Sequence, residues 1–66
     1  MNDILAEEPV KGKMFHVVQI RETDIGRCLR IQQVRKGEPR YITIPCEDIE
    51  ILREVINRLA DYNQQL

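Results

Sequence analysis

Between Met14 and Ile44 the chain alternates apolar and polar residues in three short runs, separated only by two compact turn signals. "MFHVVQIRE" (14–22), "RCLRIQQV" (27–34) and "RYITI" (40–44) are rich in β-branched and aromatic residues, which suit a pleated, half-covered surface. "TDIG" (23–26) offers Gly26 for a positive φ, and "RKGEP" (35–39) breaks the pattern with Gly37 and Pro39. Links this short leave no room for a crossover, so the three strands must pair antiparallel as a meander. "DILAEEPV" (3–10) is expected as a fourth strand at the edge of the sheet, where Pro9 costs no ladder bond.

Pro45 ends the third run, and "CEDIEILREVINRLADYNQQL" (46–66) then reads as a helix that stops near Asn63. Glu47, Asp48 and Glu50 stand in its first turns, where carboxylates favour the positive end of the helix dipole. Stepping about 100° per residue gathers Ile49, Ile51, Leu52, Val55, Ile56, Leu59, Ala60 and Tyr62 into an arc covering half the circumference. One core contact needs a stripe of only ~100°. Either the helix lies deep in a curved sheet, or it serves two surfaces, and the second reading is preferred. Ile49, Leu52, Ile56 and Leu59 are then expected to cover the chain's own sheet, while Ile51, Val55 and Tyr62 meet a second copy. The expected fold is α+β: a four-stranded antiparallel meander followed by one C-terminal amphipathic helix, as a single domain over residues 1–66, in a homodimer.

Size argues for that second copy. Chains below about 70–80 residues usually need disulfides, a metal or oligomerisation to stabilise a small core, and this one has 66 residues. Cys28 and Cys46 are its only cysteines and His16 its only histidine. Those are too few for a zinc site of about four ligands, so no metal or cofactor is expected. A Cys28–Cys46 bridge is conceivable, but both cysteines read better as reduced, small apolar residues, and His16 as a core or rim residue. With no second histidine, no Gly-rich phosphate loop and no acidic pair on a concave surface, catalysis is not expected. The acidic "MNDILAEEPV" is no signal peptide, and no apolar run approaches the roughly 20 residues of a membrane span. An intracellular, cytoplasmic protein is expected, without a membrane partner; association with a nucleoid is compatible with this.

The formal net charge is −1, but it is unevenly spread. Residues 11–40 hold Lys11, Lys13, Arg21, Arg27, Arg30, Arg35, Lys36 and Arg40 against Glu22, Asp24 and Glu38, while both flanking segments are acidic. Such asymmetry marks an interaction face. Alternation places Met14, His16, Val18, Ile20, Leu29, Ile31, Ile42 and Ile44 on the side the helix covers. Phe15, Val17, Gln19, Arg21, Cys28, Arg30, Gln32, Val34, Tyr41 and Thr43 then face away. Arginines and amides can bond phosphates and base edges, and aromatic rings can stack on unpaired bases. Single-stranded nucleic acid requires that combination, because its bases are free to leave the stack. Sheet arginines also serve solubility and edge protection, and composition alone weighs the two roles about equally.

The order "VQIRE", "GRCLRIQQV", then "ITIP" leading directly into an amphipathic helix resembles a PUR repeat, the purine-rich-element binding fold. That fold is related to the positive-cofactor-type coactivators and the Whirly proteins. The resemblance covers about residues 4–62. It implies a four-stranded sheet with one helix, two repeats packed together through helices and sheets, and single-stranded DNA or RNA on the outer sheet face. Residue by residue it puts Phe15, Gln19, Arg21, Arg30 and Gln32 on that face. Three features depart from the family pattern: Glu7 and Glu8 stand where relatives are often basic, Cys28 where an aromatic is common, and the overall charge is slightly negative.

The expected function is therefore single-stranded DNA or RNA binding by a homodimer, as a transcriptional or post-transcriptional regulator. The expected contacts are Lys11, Lys13, Phe15, Gln19, Arg21, Arg27, Arg30, Gln32, Arg35, Lys36, Arg40 and Tyr41. The alternative is a protein-interaction module that uses the basic sheet face or the helix without nucleic acid.

Overall fold

The computed structural model describes residues 3–66. Strands β1 (Asp3–Lys11), β2 (Phe15–Thr23), β3 (Gly26–Gln33) and β4 (Arg40–Pro45) form one antiparallel sheet in the order β1-β2-β3-β4. A 3-10 turn, Cys46–Asp48, leads without a break into helix α1, Ile49–Gln64. The expected meander and C-terminal helix are both present, and the predicted edge strand is β1, the full length of "DILAEEPVK".

Local chemistry explains the connections. In the β2–β3 hairpin Thr23 pairs with Gly26, leaving Asp24 and Ile25 at the tip. The Thr23 hydroxyl donates to Gly26 O at 2.7 Å and accepts from Ile25 N–H at 3.3 Å, a side-chain-closed turn of the kind Thr favours. Gly26 adopts φ 125°, outside the range L side chains take comfortably. In the longer β3–β4 loop, Val34 N–H donates to Phe15 O at 3.0 Å and so ties the loop to β2. β1 carries one register shift between Ile4 and Ala6, a bulge that restores pairing with β2 on either side of it.

The register fixes the two faces, because directly paired residues share a side. One face holds Val18, Ile31 and Ile42 in one cross-strand row, and Ile20, Leu29 and Ile44 in the next. Ala6, Val10 and His16 extend it onto β1 and β2. This is the apolar face, and its composition matches the alternation read from the sequence.

The cover does not. Helix α1 packs along none of the four strands. Ile49 and Leu52, beside the 3-10 turn, are its only half-buried residues, and every other helical position is exposed. Ile56 and Leu59 were expected against the chain's own sheet, yet they are 51% and 62% exposed. The reason lies in the junction. β4 ends at Pro45 (φ −57°, ψ 142°), the 3-10 turn follows at once, and no glycine intervenes. The chain leaves β4 in a fixed direction that carries the helix away from the apolar face.

The consequence is visible in size and surface. The radius of gyration is 13.5 Å, against about 11 Å for a compact chain of this length. A compact 7.8 kDa monomer presents about 4,400 Å² of surface. This chain presents 5743 Å², roughly 1,300 Å² more than that scaling allows. Cys28 is the one buried apolar residue among those described.

The hairpin tip supplies a direct check of the local account. A Cβ built on Gly26 meets no atom within 4 Å, so only backbone strain opposes a substitution there. Gly26→Ala is expected to lower stability by about 1–2 kcal/mol in urea unfolding, whereas Gly12→Ala, which has ordinary φ and room for a Cβ, should not.

Candidate nucleic-acid interface

The face opposite the apolar one is built from three cross-strand rows. Val17, Gln32 and Tyr41 form one, Gln19, Arg30 and Thr43 the next, and Arg21, Cys28 and Pro45 the third. Phe15 extends this face at the end of β2, opposite Lys11 of β1, and Glu7 stands opposite Gln19. Arg30 and the two aromatics therefore share one side of the sheet, as alternation predicts.

Arg30 and Tyr41 are in contact. The guanidinium carbon lies 4.1 Å from the centre of the Tyr41 ring, a cation–π pairing on a diagonal between adjacent strands. Stacking holds the guanidinium flat while leaving its N–H edges directed in plane. The Nε groups of Arg30 and Arg21 are both shut off from solvent without an acceptor among the described residues. A donor in that state carries an unmet desolvation cost of about 1–3 kcal/mol. Phe15 and Tyr41 remain well exposed at 43% and 54%, so both rings present surface that a base could cover.

Gln19 departs from its expected role. It is 7% exposed, and both ends of its amide are engaged: Nε2 donates to Glu7 Oε1 at 2.6 Å, and Oε1 accepts from Arg21 Nη1 at 2.9 Å. The three side chains form a relay across β1 and β2 in which Gln19 is a buried structural link between an acid and a base. Sequence reading missed Glu7 as a member of this face. The signal was available in the count of residues round the Gly12–Met14 turn, which sets Glu7 opposite Gln19, but β1 was then an edge strand of unassigned register.

Arg27 stands on the other side of the sheet from Arg30. It pairs with Glu22 across β2 and β3, on the apolar side, and its Nε donates to Glu22 Oε2 at 3.0 Å. Strand parity separates it from Arg30 by one face. Arg40 also falls on the apolar side by register, opposite Gln33, although it stands at the first position of β4, where it borders the loop.

The topology adds an arrangement that composition could not show. The Gly12–Met14 turn and the 34–39 loop lie at the same end of the sheet, beside Lys11, Phe15, Gln33 and Arg40. Lys11, Lys13, Arg35, Lys36 and Arg40 are thus gathered at that end, with Glu38 among them. The opposite end carries Asp3, Glu22, Asp24, Glu47 and Asp48. There an open cleft of about 500 Å³ lies between the Thr23–Gly26 tip and Pro45 and Glu47, with Cys28 and Arg30 in its lining. Its lining is mixed in charge, with Asp24 and Glu47 against Arg27 and Arg30. The sheet is polarised along its strands: basic and aromatic at one end, and richer in acids, set around Arg21 and Arg27, at the other.

Both cysteines are free thiols. Cys46 is pushed above the ordinary thiol value chiefly by desolvation, with Cys28, Glu47 and Glu22 reinforcing the shift and Arg27 opposing it. A raised thiol is a poor nucleophile. Among the described residues no cluster of His, Cys, Asp and Glu has the make-up of a metal site, and no helix is long and apolar enough to cross a membrane. Comparison with protein-family models, with characterised proteins and with solved structures finds no match to this chain.

The relay predicts an asymmetry between two neighbouring acids. Glu7→Ala removes the acceptor of a buried amide and should cost about 1–2 kcal/mol in urea unfolding. Glu8→Ala, across from Val18 on the other face, should change stability by less than about 0.5 kcal/mol. Equal effects would remove the relay from the description.

Proposed function

We propose that this chain is a single-stranded DNA- or RNA-binding protein that acts as a homodimer, in a transcriptional or post-transcriptional role. The observation that carries this reading is the Arg30–Tyr41 pair, with Phe15 and Gln32 on the same face. A strand laid along this face would set bases on Phe15 and Tyr41 and a phosphate or base edge against Arg30. Lys11, Lys13, Arg35 and Lys36, at the basic end, would neutralise the backbone leading onto it. Arg21 contributes charge while tethered to Gln19. Gln19, Arg27 and Arg40 are not assigned base contacts.

Two supports are independent of each other. The charge polarity gives a strand one favoured end of the sheet, even though the whole chain is nearly neutral. The resemblance of residues 4–62 to PUR repeats points to the same ligand class and to the same face. The self-association in this proposal rests on the uncovered apolar face and the excess surface.

Binding of a fluorescent single-stranded oligonucleotide tests the reading. Log affinity should fall linearly with log salt, with a slope near −0.7 for each phosphate neutralised, and single strands should bind better than duplex. Phe15→Ala and Tyr41→Ala should each weaken binding by about 1–3 kcal/mol. Arg30→Glu should abolish it, with the circular dichroism spectrum unchanged. Duplex preference, or an Arg30→Glu protein that binds as before, would overturn the assignment of this face.

A further inference from the structure

We infer that the free edge of β4 is a self-pairing surface, through which two copies join antiparallel into one eight-stranded sheet. This rests on the self-association proposed above, and it names an edge contact that the uncovered apolar face does not itself require.

The two outer edges of the sheet differ. β1 carries a register shift between Ile4 and Ala6, Pro9 within the strand, and Glu7 and Glu8 in succession. Bulges, prolines and charges are the means by which an edge strand is kept from pairing with another chain. β4 has none of them between its ends. Tyr41, Ile42, Thr43 and Ile44 are uncharged and run against β3 without a register shift. Tyr41 to Thr43 are exposed, and helix α1 packs along none of the strands.

Charge then selects the partner. β4 begins at Arg40 and is followed at once by Glu47 and Asp48, all three exposed. An antiparallel copy therefore brings the base of each chain towards the acids of the other. Like faces meet only when even positions oppose even ones, because Ile42 and Ile44 share the apolar side and Tyr41 and Thr43 the polar side. One register satisfies both conditions and keeps the whole stretch from Tyr41 to Pro45 paired. It sets Thr43 against its own copy, Ile42 against the partner's Ile44, and Arg40 beside the partner's Glu47.

The pairing closes with twofold symmetry, and the protected β1 edges left on the outside discourage a third chain. It also joins the two polar faces. The row Gln19, Arg30, Thr43 runs on into the same row of the second copy. The two Arg30 positions then stand three strand spacings apart, about 14 Å, on one continuous surface that a single ligand strand can cross.

Charge exchange tests the register. Arg40→Glu sets acid against acid, and Glu47→Arg sets base against base. Each variant alone should pair roughly tenfold more weakly, since two exposed contacts turn repulsive. Mixed one to one, both contacts become attractive again and pairing should recover. The readout is pulsed electron paramagnetic resonance of a nitroxide on Thr43→Cys, in chains with Cys28→Ala and Cys46→Ala. Pairing places the two labels within about 25 Å of each other.

Amide hydrogen exchange reads the unsubstituted protein. Protection of Ile42 to Ile44 should rise with protein concentration more steeply than that of Ala6 to Glu8. A native mass of 7.8 kDa would overturn self-association and edge pairing together. A self-associated protein with equal slopes at the two edges, with distant Thr43 labels, or without recovery on mixing would overturn edge pairing alone.

Discussion

One side of this sheet is built from branched aliphatic side chains in register across three strands, and among the described residues no element packs along it. Burial of apolar surface is the dominant favourable term in folding, at about 25 cal/mol per Å², and a 66-residue chain has little surface to spare. The helix that alternation and amphipathicity assign as the cover follows β4 directly through the 3-10 turn and packs along none of the strands. Extended shape, excess surface and the near absence of buried side chains all follow from that one geometric fact. In a small domain such a face is a large share of the apolar surface, and its cover is what the proposed self-association would supply.

The polar side's shape is set by the strands and its chemistry by local pairings. Arg30 rests on Tyr41, while Arg21 is held through Gln19 to Glu7. These contacts order long side chains that would otherwise sample many rotamers. Near-neutrality overall and a strongly basic end are compatible because the acids are placed elsewhere. They lie along β1, at the hairpin tip, in the 3-10 turn and on the outer side of the helix.

Much of this was legible in the residues. Period-two alternation and the breakers at Gly26, Gly37, Pro39 and Pro45 located β2, β3 and β4 to within a residue, and the helix apart from its first three positions, which form the 3-10 turn. Parity then put Phe15, Arg30 and Tyr41 on one side correctly. Parity also argued against grouping Arg27 with Arg30, since adjacent residues of a strand face opposite ways; counting it among the contacts followed charge over geometry. Gln19 failed for a different reason: its burial depends on Glu7, and so on the register of an edge strand whose turn carries no strong signal. The packing of the helix was not legible at all. Amphipathicity states that half of a helix needs apolar cover, but not which chain provides it; that depends on the angle at which the backbone leaves β4.

If the apolar side of the sheet is covered only by another chain, folding and association are one equilibrium, and apparent stability must depend on concentration. Thermal unfolding followed by circular dichroism over a hundredfold range of protein concentration measures this directly. The Tm should climb steadily with concentration, and the unfolding curves should fit a transition from folded dimer to two unfolded chains. A Tm that stays constant across the range would show that a single chain is stable by itself, and would contradict the premise from which the rest is derived.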